Sequence, residues 1–257
     1  MLYKNALQSK ILCAVVAVAT LAPVTSHAQD WIGPTPMDYA NMNMNFANTL
    51  INNAMIERMT RRGGSSSARR SGVTTTETES KVGTSPASFS YTVTPAQRTD
   101  YRNAYLANLA KSQPTLAASL RTQFQKHDYS TIYNGLLTGT GLTSNNLADA
   151  FTAYTVLGWM VVNGHTSDPS PTSVAGVRRQ WANALANTDF AANEDSRRRT
   201  AEELKIKMVL LHAGWKEAKK TKQSAAYANA VDRLFQSQLK LKMQSMTLGA
   251  SGLKIRG

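Results

Sequence analysis

Between residues 145 and 164 the chain reads NNLADAFTAYTVLGWMVVNG, apolar on almost every side of a helix and carrying one charge, Asp149. A helix of that kind is either a membrane span or the centre of a helical domain. Thr152, Tyr154, Thr155 and Asn163 make this one too polar to span, and it lacks the ~20 consecutive apolar residues that a bilayer requires. The pattern therefore predicts a core helix with Tyr154 and Trp159 inside the domain. Asn145 or Asn146 caps it, and Asn146 followed three residues later by Asp149 has the form of a capping box.

Helical spacing recurs on both sides. Thr94-Pro95 supply an N-cap and a first-turn proline for a helix reaching about Lys111, and Pro114 opens another that ends near Lys126. Residues 129–138 form a short helix closed by the glycines of GLLTGTGLTSNN. After the prolines of HTSDPSP, Val174, Val177, Trp181 and Leu185 repeat at helical spacing. So do Ala201, Leu204, Met208, Leu211, Trp215 and Ala218, behind the acidic NEDS that suits a helix N-terminus. A last helix runs from Ser224 to Leu241 with Tyr227, Val231 and Leu234 inward. SFSYTV alternates as a strand would, but it stands alone. The expected fold is all-α, an irregular bundle of six or seven helices over residues 88–257.

The N-terminal third is built differently. Residues 37–60, MDYANMNMNFANTLINNAMIERMT, wind into an amphipathic helix with a Met-rich apolar stripe opposite Asn41, Asn45, Asn48 and Asn52. That stripe either covers the core of the main domain or forms a detachable helix for a partner, a use to which adaptable methionines are suited. Residues 61–87 are too rich in Gly, Ser, Thr and Arg to bury a core and read as a flexible, disordered linker. Residues 1–28 read as a signal peptide: Lys4 and Lys10, the apolar run ILCAVVAVATLA, then SHA before Gln29. The competing reading is an uncleaved anchor, for which the apolar run is short. Residues 29–60 then form the N-terminal helical segment of the mature chain, with no transmembrane span after cleavage.

Cleavage changes the composition in two ways. The single cysteine, Cys13, lies in the signal, so a chain starting at Gln29 has no thiol chemistry, no disulfide and no cysteine metal site. Loss of Lys4 and Lys10 leaves 27 Lys and Arg against 16 Asp and Glu, a net charge of +11. The basic residues cluster in TRRGGSSSARR, in SRRRT, in WKEAKKTK and towards the C-terminus, making Arg61, Arg62, Arg69, Arg70, Arg197, Arg198 and Arg199 candidate anion contacts. The partner this implies is an anionic surface polymer or another envelope protein. Nucleic acid is disfavoured, since no aromatic residue interleaves with the basic runs of the linker or the tail.

No residue pattern specifies a reaction. His127, His165 and His212 stand far apart, and none has a second ligand at metal spacing, so neither a metal nor any other cofactor is expected. GLLTGTGL precedes a helix but lacks the lysine of a phosphate-binding loop. Asp149 suits a first-turn cap better than a buried acid or base. Glu202 and Glu203 stand near Arg198, Arg199 and Lys205, where ion pairing along one helix is the ordinary role.

NLADAFTAYTVLGW, VRRQWANAL, AEEL and MTLGASGL are together similar to an uncharacterised family of exported, mostly helical bacterial proteins, a domain of unknown function, over about residues 90–255. The chain has Gly252-Leu253 where such endings finish Gly-Phe. The resemblance implies a helical fold and export and carries no catalytic residue. The expected function is an exported, non-enzymatic interaction module, envelope-associated in the periplasm or secreted. A cell-wall or phosphate-ester hydrolase is the alternative.

Overall fold

The computed structural model describes residues 35–40, 89–186, 188 and 192–256 of the 257-residue chain. The expected signal peptide 1–28, the expected linker 61–87 and residues 41–60 of the expected amphipathic helix lie outside the described residues.

Seven described helices make up the main domain: α2 (Pro95–Ala110), α3 (Pro114–Lys126), α4 (Tyr129–Leu136), α5 (Leu147–Val162), α6 (Pro171–Leu185), α7 (Glu194–Lys220) and α8 (Ser224–Leu239). A short α1 (Pro36–Ala40) precedes them and packs on α7 and α8, with Pro36 buried and Met37 half-buried against the core. Local chemistry explains most of the starts. Thr94 and Gln97 form a reciprocal capping box on α2, while Asp128, Asn146, Ser170 and Asn193 accept backbone N–H groups at α4, α5, α6 and α7. On α7, Glu194 and Asp195 occupy the first turn and Lys219 and Lys220 the last, matching the helix dipole at both ends.

Helix α5 is the centre, packed against α6, α7 and α8. Fourteen of its sixteen residues are buried, which is why its sequence has no polar stripe. Phe151 stacks on Trp181 of α6 at 4.4 Å between ring centres, and Tyr154 stacks on Phe235 of α8 at 4.7 Å. Gly158 lies under the same Phe235 ring, where an added Cβ would come within 2.3 Å of ring carbon. The Trp181 indole N–H donates to the Thr155 hydroxyl at 3.1 Å, so the polar atoms that enter this layer are paired.

Departures from the pattern have physical causes. SFSYTV does not form a strand: Tyr91 N–H donates to the Asn145 carbonyl and Leu147 N–H to that of Phe89, leaving one bridge beside the start of α5. The last helix stops at Leu239, where Lys240 turns left-handed at φ 54°. Trp159 is half-buried instead of central, because its indole N–H reaches the Met246 carbonyl at 3.0 Å. That carbonyl belongs to a hairpin, β1 (Met246–Gly249) against β2 (Gly252–Ile255), which follows a 3-10 turn at Met243–Ser245 and was not expected. The Gln180 side chain of α6 acts as a third strand for it, donating to the Leu253 carbonyl and accepting from the Leu253 N–H, both at 2.8 Å.

Gly176 permits this docking. A Cβ on it would lie 2.3 Å from the Gly252 nitrogen and 2.6 Å from the Ala250 carbonyl oxygen. Gly176→Ala is expected to push the hairpin off α6 and to cost about 1–3 kcal/mol, the range for overpacking. Thermal denaturation with amide exchange of residues 246–255 checks this; an unchanged melting point and unchanged protection would show that the contact is not tight.

Candidate functional site

The apolar run Leu204, Ile206, Met208–Leu211 draws α7 through the middle of the domain, and it takes charged residues with it. Glu202 and Lys205 are wholly buried, with side-chain exposure of 0% each. Lys205 Nζ donates to Glu202 Oε1 at 2.6 Å, one turn along the helix. The same oxygen accepts from the Tyr91 hydroxyl at 2.9 Å, and Oε2 accepts from the Tyr129 hydroxyl at 2.6 Å. Lys205 Nζ also donates to Asn145 Oδ1 at 3.3 Å and lies 5.3 Å and 5.5 Å from the ring centres of Tyr91 and Tyr133. One carboxylate thus gathers donors from the segment before α2, from α4 and from α7.

Burial dominates the electrostatics. It raises the Tyr91 and Tyr129 hydroxyls far above the ordinary tyrosine range, with the Glu202 charge adding to it, so both stay protonated as donors. Tyr133 is raised by burial, then by Asp149 and Glu202. Lys205 is lowered, because desolvation outweighs the attraction of Glu202. Lys207, buried and paired with Glu203 at 2.6 Å, is lowered for the same reason. Ion pairing therefore runs Glu202 to Lys205 and Glu203 to Lys207, and the first pair is core instead of surface.

Asp149 is 1% exposed, and Asn146 Oδ1 accepts its N–H at 3.1 Å as the cap requires. Its carboxylate is turned elsewhere. It accepts from the Thr143 N–H at 2.8 Å and hydroxyl at 2.7 Å and pairs with Arg178 of α6. These bonds fix the end of the GLLTGTGL loop against α6.

That loop forms one lip of a groove of about 610 Å³ between α4, α5 and α7. The walls are apolar, chiefly Leu137, Val156, Leu157, Met160, Met208 and Trp215. Gly139, at φ 79°, turns the lip, and Leu142 stands half-buried on it. Its polar groups are Thr138, Thr140, Thr166, Asp168, His212 and Lys219, whose Nζ sits 3.6 Å from the centre of the Trp215 ring. Burial lowers His212 from 6.5 to about 4, with Lys216 and Lys219 adding to the shift. It is therefore neutral at physiological pH, and the charges that act on it are cationic.

The candidate anion contacts are scattered. Arg61, Arg62, Arg69 and Arg70 lie outside the described residues. Arg197 Nε donates to the Ser90 carbonyl at 3.3 Å. Arg198 bonds the Thr92 carbonyl and pairs with Glu194 and Asp195. Arg199 is exposed. Three adjacent arginines in sequence thus do not form one patch. The sequence reading missed the burial of Lys205 and Lys207, although both sit within one or two residues of the apolar stripe Leu204, Met208, Leu211. It also missed the groove, whose walls come from four separate segments.

Comparison with protein families matches residues 7–256 to a family of unknown function (DUF6683), so the match takes in residues 37–87 as well as the helical domain. No curated protein and no solved structure matches the chain.

His212 gives this groove a pH signature. The folded chain refuses a proton that the unfolded chain accepts between pH 6.5 and about 4, so the stability His212 contributes is full above 6.5 and is lost as pH falls towards 4. The loss is at most on the order of 3 kcal/mol. Melting temperatures between pH 7 and 4 should therefore fall more steeply for the native chain than for His212→Gln. Equal slopes would show that His212 is not held neutral.

Proposed function

We propose that this chain, which belongs to the family of unknown function DUF6683, is an exported, non-enzymatic binding module that holds an apolar segment of an envelope partner in the groove between α4, α5 and α7. The observation that carries the reading is the groove itself. Its volume of about 610 Å³ falls within the range of sites that enclose a small ligand or side-chain cluster, and apolar side chains make up more than half of its lining.

The chemistry around His212 favours binding over catalysis. A hydrolase would need the imidazole oriented by a carboxylate and close to the operating pH, whereas burial, with Lys216 and Lys219 adding to it, holds this one low. Glu202 and Lys205 are saturated by each other and by tyrosines, away from solvent. Export rests on residues 1–28 and places the module in the periplasm or outside the cell. No helix among the described residues is long and apolar enough to cross a membrane, which is compatible with that placement. The exposed Arg199, and by sequence Arg61, Arg62, Arg69 and Arg70, remain candidate contacts for an anionic surface polymer.

The test titrates the exported chain with a brominated long-chain alcohol and follows tryptophan emission, using Trp215→Phe to assign the quenching. Saturable quenching is expected, weakened at least tenfold by Leu142→Arg, which puts a charge on the half-buried lip without opening the core. Quenching that is linear in ligand and unaffected by Leu142→Arg would overturn the groove reading. Turnover of cell-wall fragments or a phosphate ester, lost in His212→Ala, would favour the hydrolase.

A further inference from the structure

The contact of Lys205 with Asn145 has a chemical consequence separate from the groove. We propose that these two side chains are the partners of an intramolecular amide bond, formed between Lys205 Nζ and Asn145 Cγ with loss of ammonia and with Glu202 as the proton carrier. All three reacting groups meet at one atom. Lys205 Nζ is 3.3 Å from Asn145 Oδ1, which places the carboxamide beside the amine, and 2.6 Å from Glu202 Oε1. Water is kept from the amine and its base, since Lys205 and Glu202 have no exposed side-chain surface and the rings of Tyr91 and Tyr133 stand 5.3 Å and 5.5 Å from the amine, while Asn145 is half-buried.

Asn145 is held in place for the reaction. Its carbonyl accepts from the Tyr91 N–H at 3.1 Å, and its neighbour Asn146 is bridged to Ser90 and caps α5. The lysine is held by α7. Positioning of this kind replaces the collision of an amine with a carboxamide, which is slow in water, by an intramolecular step.

The atoms balance without any further reagent. Glu202 accepts a proton from the Lys205 ammonium, leaving a neutral amine whose lone pair attacks Asn145 Cγ. Burial already favours the neutral form of this lysine. The Nζ–Cγ bond forms as the carbonyl π electrons move to Oδ1. On collapse the Cγ–Nδ2 bond breaks, the leaving nitrogen takes one proton from Nζ and one from Glu202, and ammonium departs. Glu202 ends as the carboxylate it began as, with the Tyr91 and Tyr129 hydroxyls still donating to it. The product amide keeps one N–H on Nζ beside Glu202, so the carboxylate retains a donor there when the ammonium is gone.

The bond would tie the start of α5 to the middle of α7 and close a loop of 60 residues containing α5 and α6. An exported chain beginning at Gln29 has no cysteine, so a disulfide cannot do this. Intact mass alone would mislead, because an N-terminal glutamine also loses ammonia on cyclising. The decisive experiment is tryptic digestion of the folded protein and tandem mass spectrometry. Cleavage after lysine and arginine separates residues 127–178, which carry Asn145, from residues 200–207, which carry Lys205 when that lysine is uncleaved. The expected result is one species joining these two peptides, lighter than their sum by one ammonia, absent in Lys205→Arg and in Glu202→Gln. Recovery of residues 127–178 unlinked, together with cleavage after Lys205, from the folded native protein would overturn the proposal; that readout does not depend on whether the variants fold.

Discussion

Burial of the Glu202 carboxylate is the constraint around which the domain is arranged. A carboxylate with 0% exposure is costly to hold unless donors reach it, and here Lys205 and Tyr91 donate to one oxygen and Tyr129 to the other. Tyr91 and Tyr129 come from positions 111 and 73 residues away in the chain. Satisfying Glu202 therefore brings the segment before α2 and the start of α4 onto α7. The first of these also lies along Asn145–Leu147 and helps to set the start of α5. Asp149, one turn further, then fixes Thr143 and Arg178, and with them the loop that walls the groove. The buried charges and the open groove are parts of one arrangement.

The helices were legible because each is announced by its own residues. Thr94-Pro95, Asn146 and the acids before α7 are local signals, and α5 is apolar all round because it is surrounded on all sides. The hairpin was not legible, since MTLGASGL is too short to alternate convincingly and depends on Gln180 and Gly176 of α6 for its place. Lys205 and Lys207 were hidden for a related reason. A lysine in a 27-residue helix reads as surface unless the helix is known to be covered on the opposite side as well, and only tertiary packing supplies that. Trp159 was misjudged by the same logic, as the end of α5 meets the hairpin backbone instead of a side-chain layer.

The two polar features divide their roles by access to water. Around Glu202 the carboxylate, Lys205 and the Tyr91 and Tyr129 hydroxyls are bonded to one another, which suits a lock more than a site for exchange with solvent. In the groove His212 and Trp215 stand among apolar walls with Asp168 and Lys219 also on the lining, which suits an occupant from outside. Family membership over residues 7–256 makes the helical domain and the segments before it one unit of description, and α1 on α7 and α8 shows part of that N-terminal region packed on the domain.

The central claim is that the Glu202 cluster holds these elements together, and chemical denaturation of Lys205→Met beside the Glu202→Gln, Lys205→Met pair tests it most directly. Lys205→Met leaves a buried carboxylate without its Lys205 donor and should cost about 3–5 kcal/mol, whereas neutralising both residues should restore a large part of that loss. A Lys205→Met chain that unfolds at the same denaturant concentration as the native one would contradict the account.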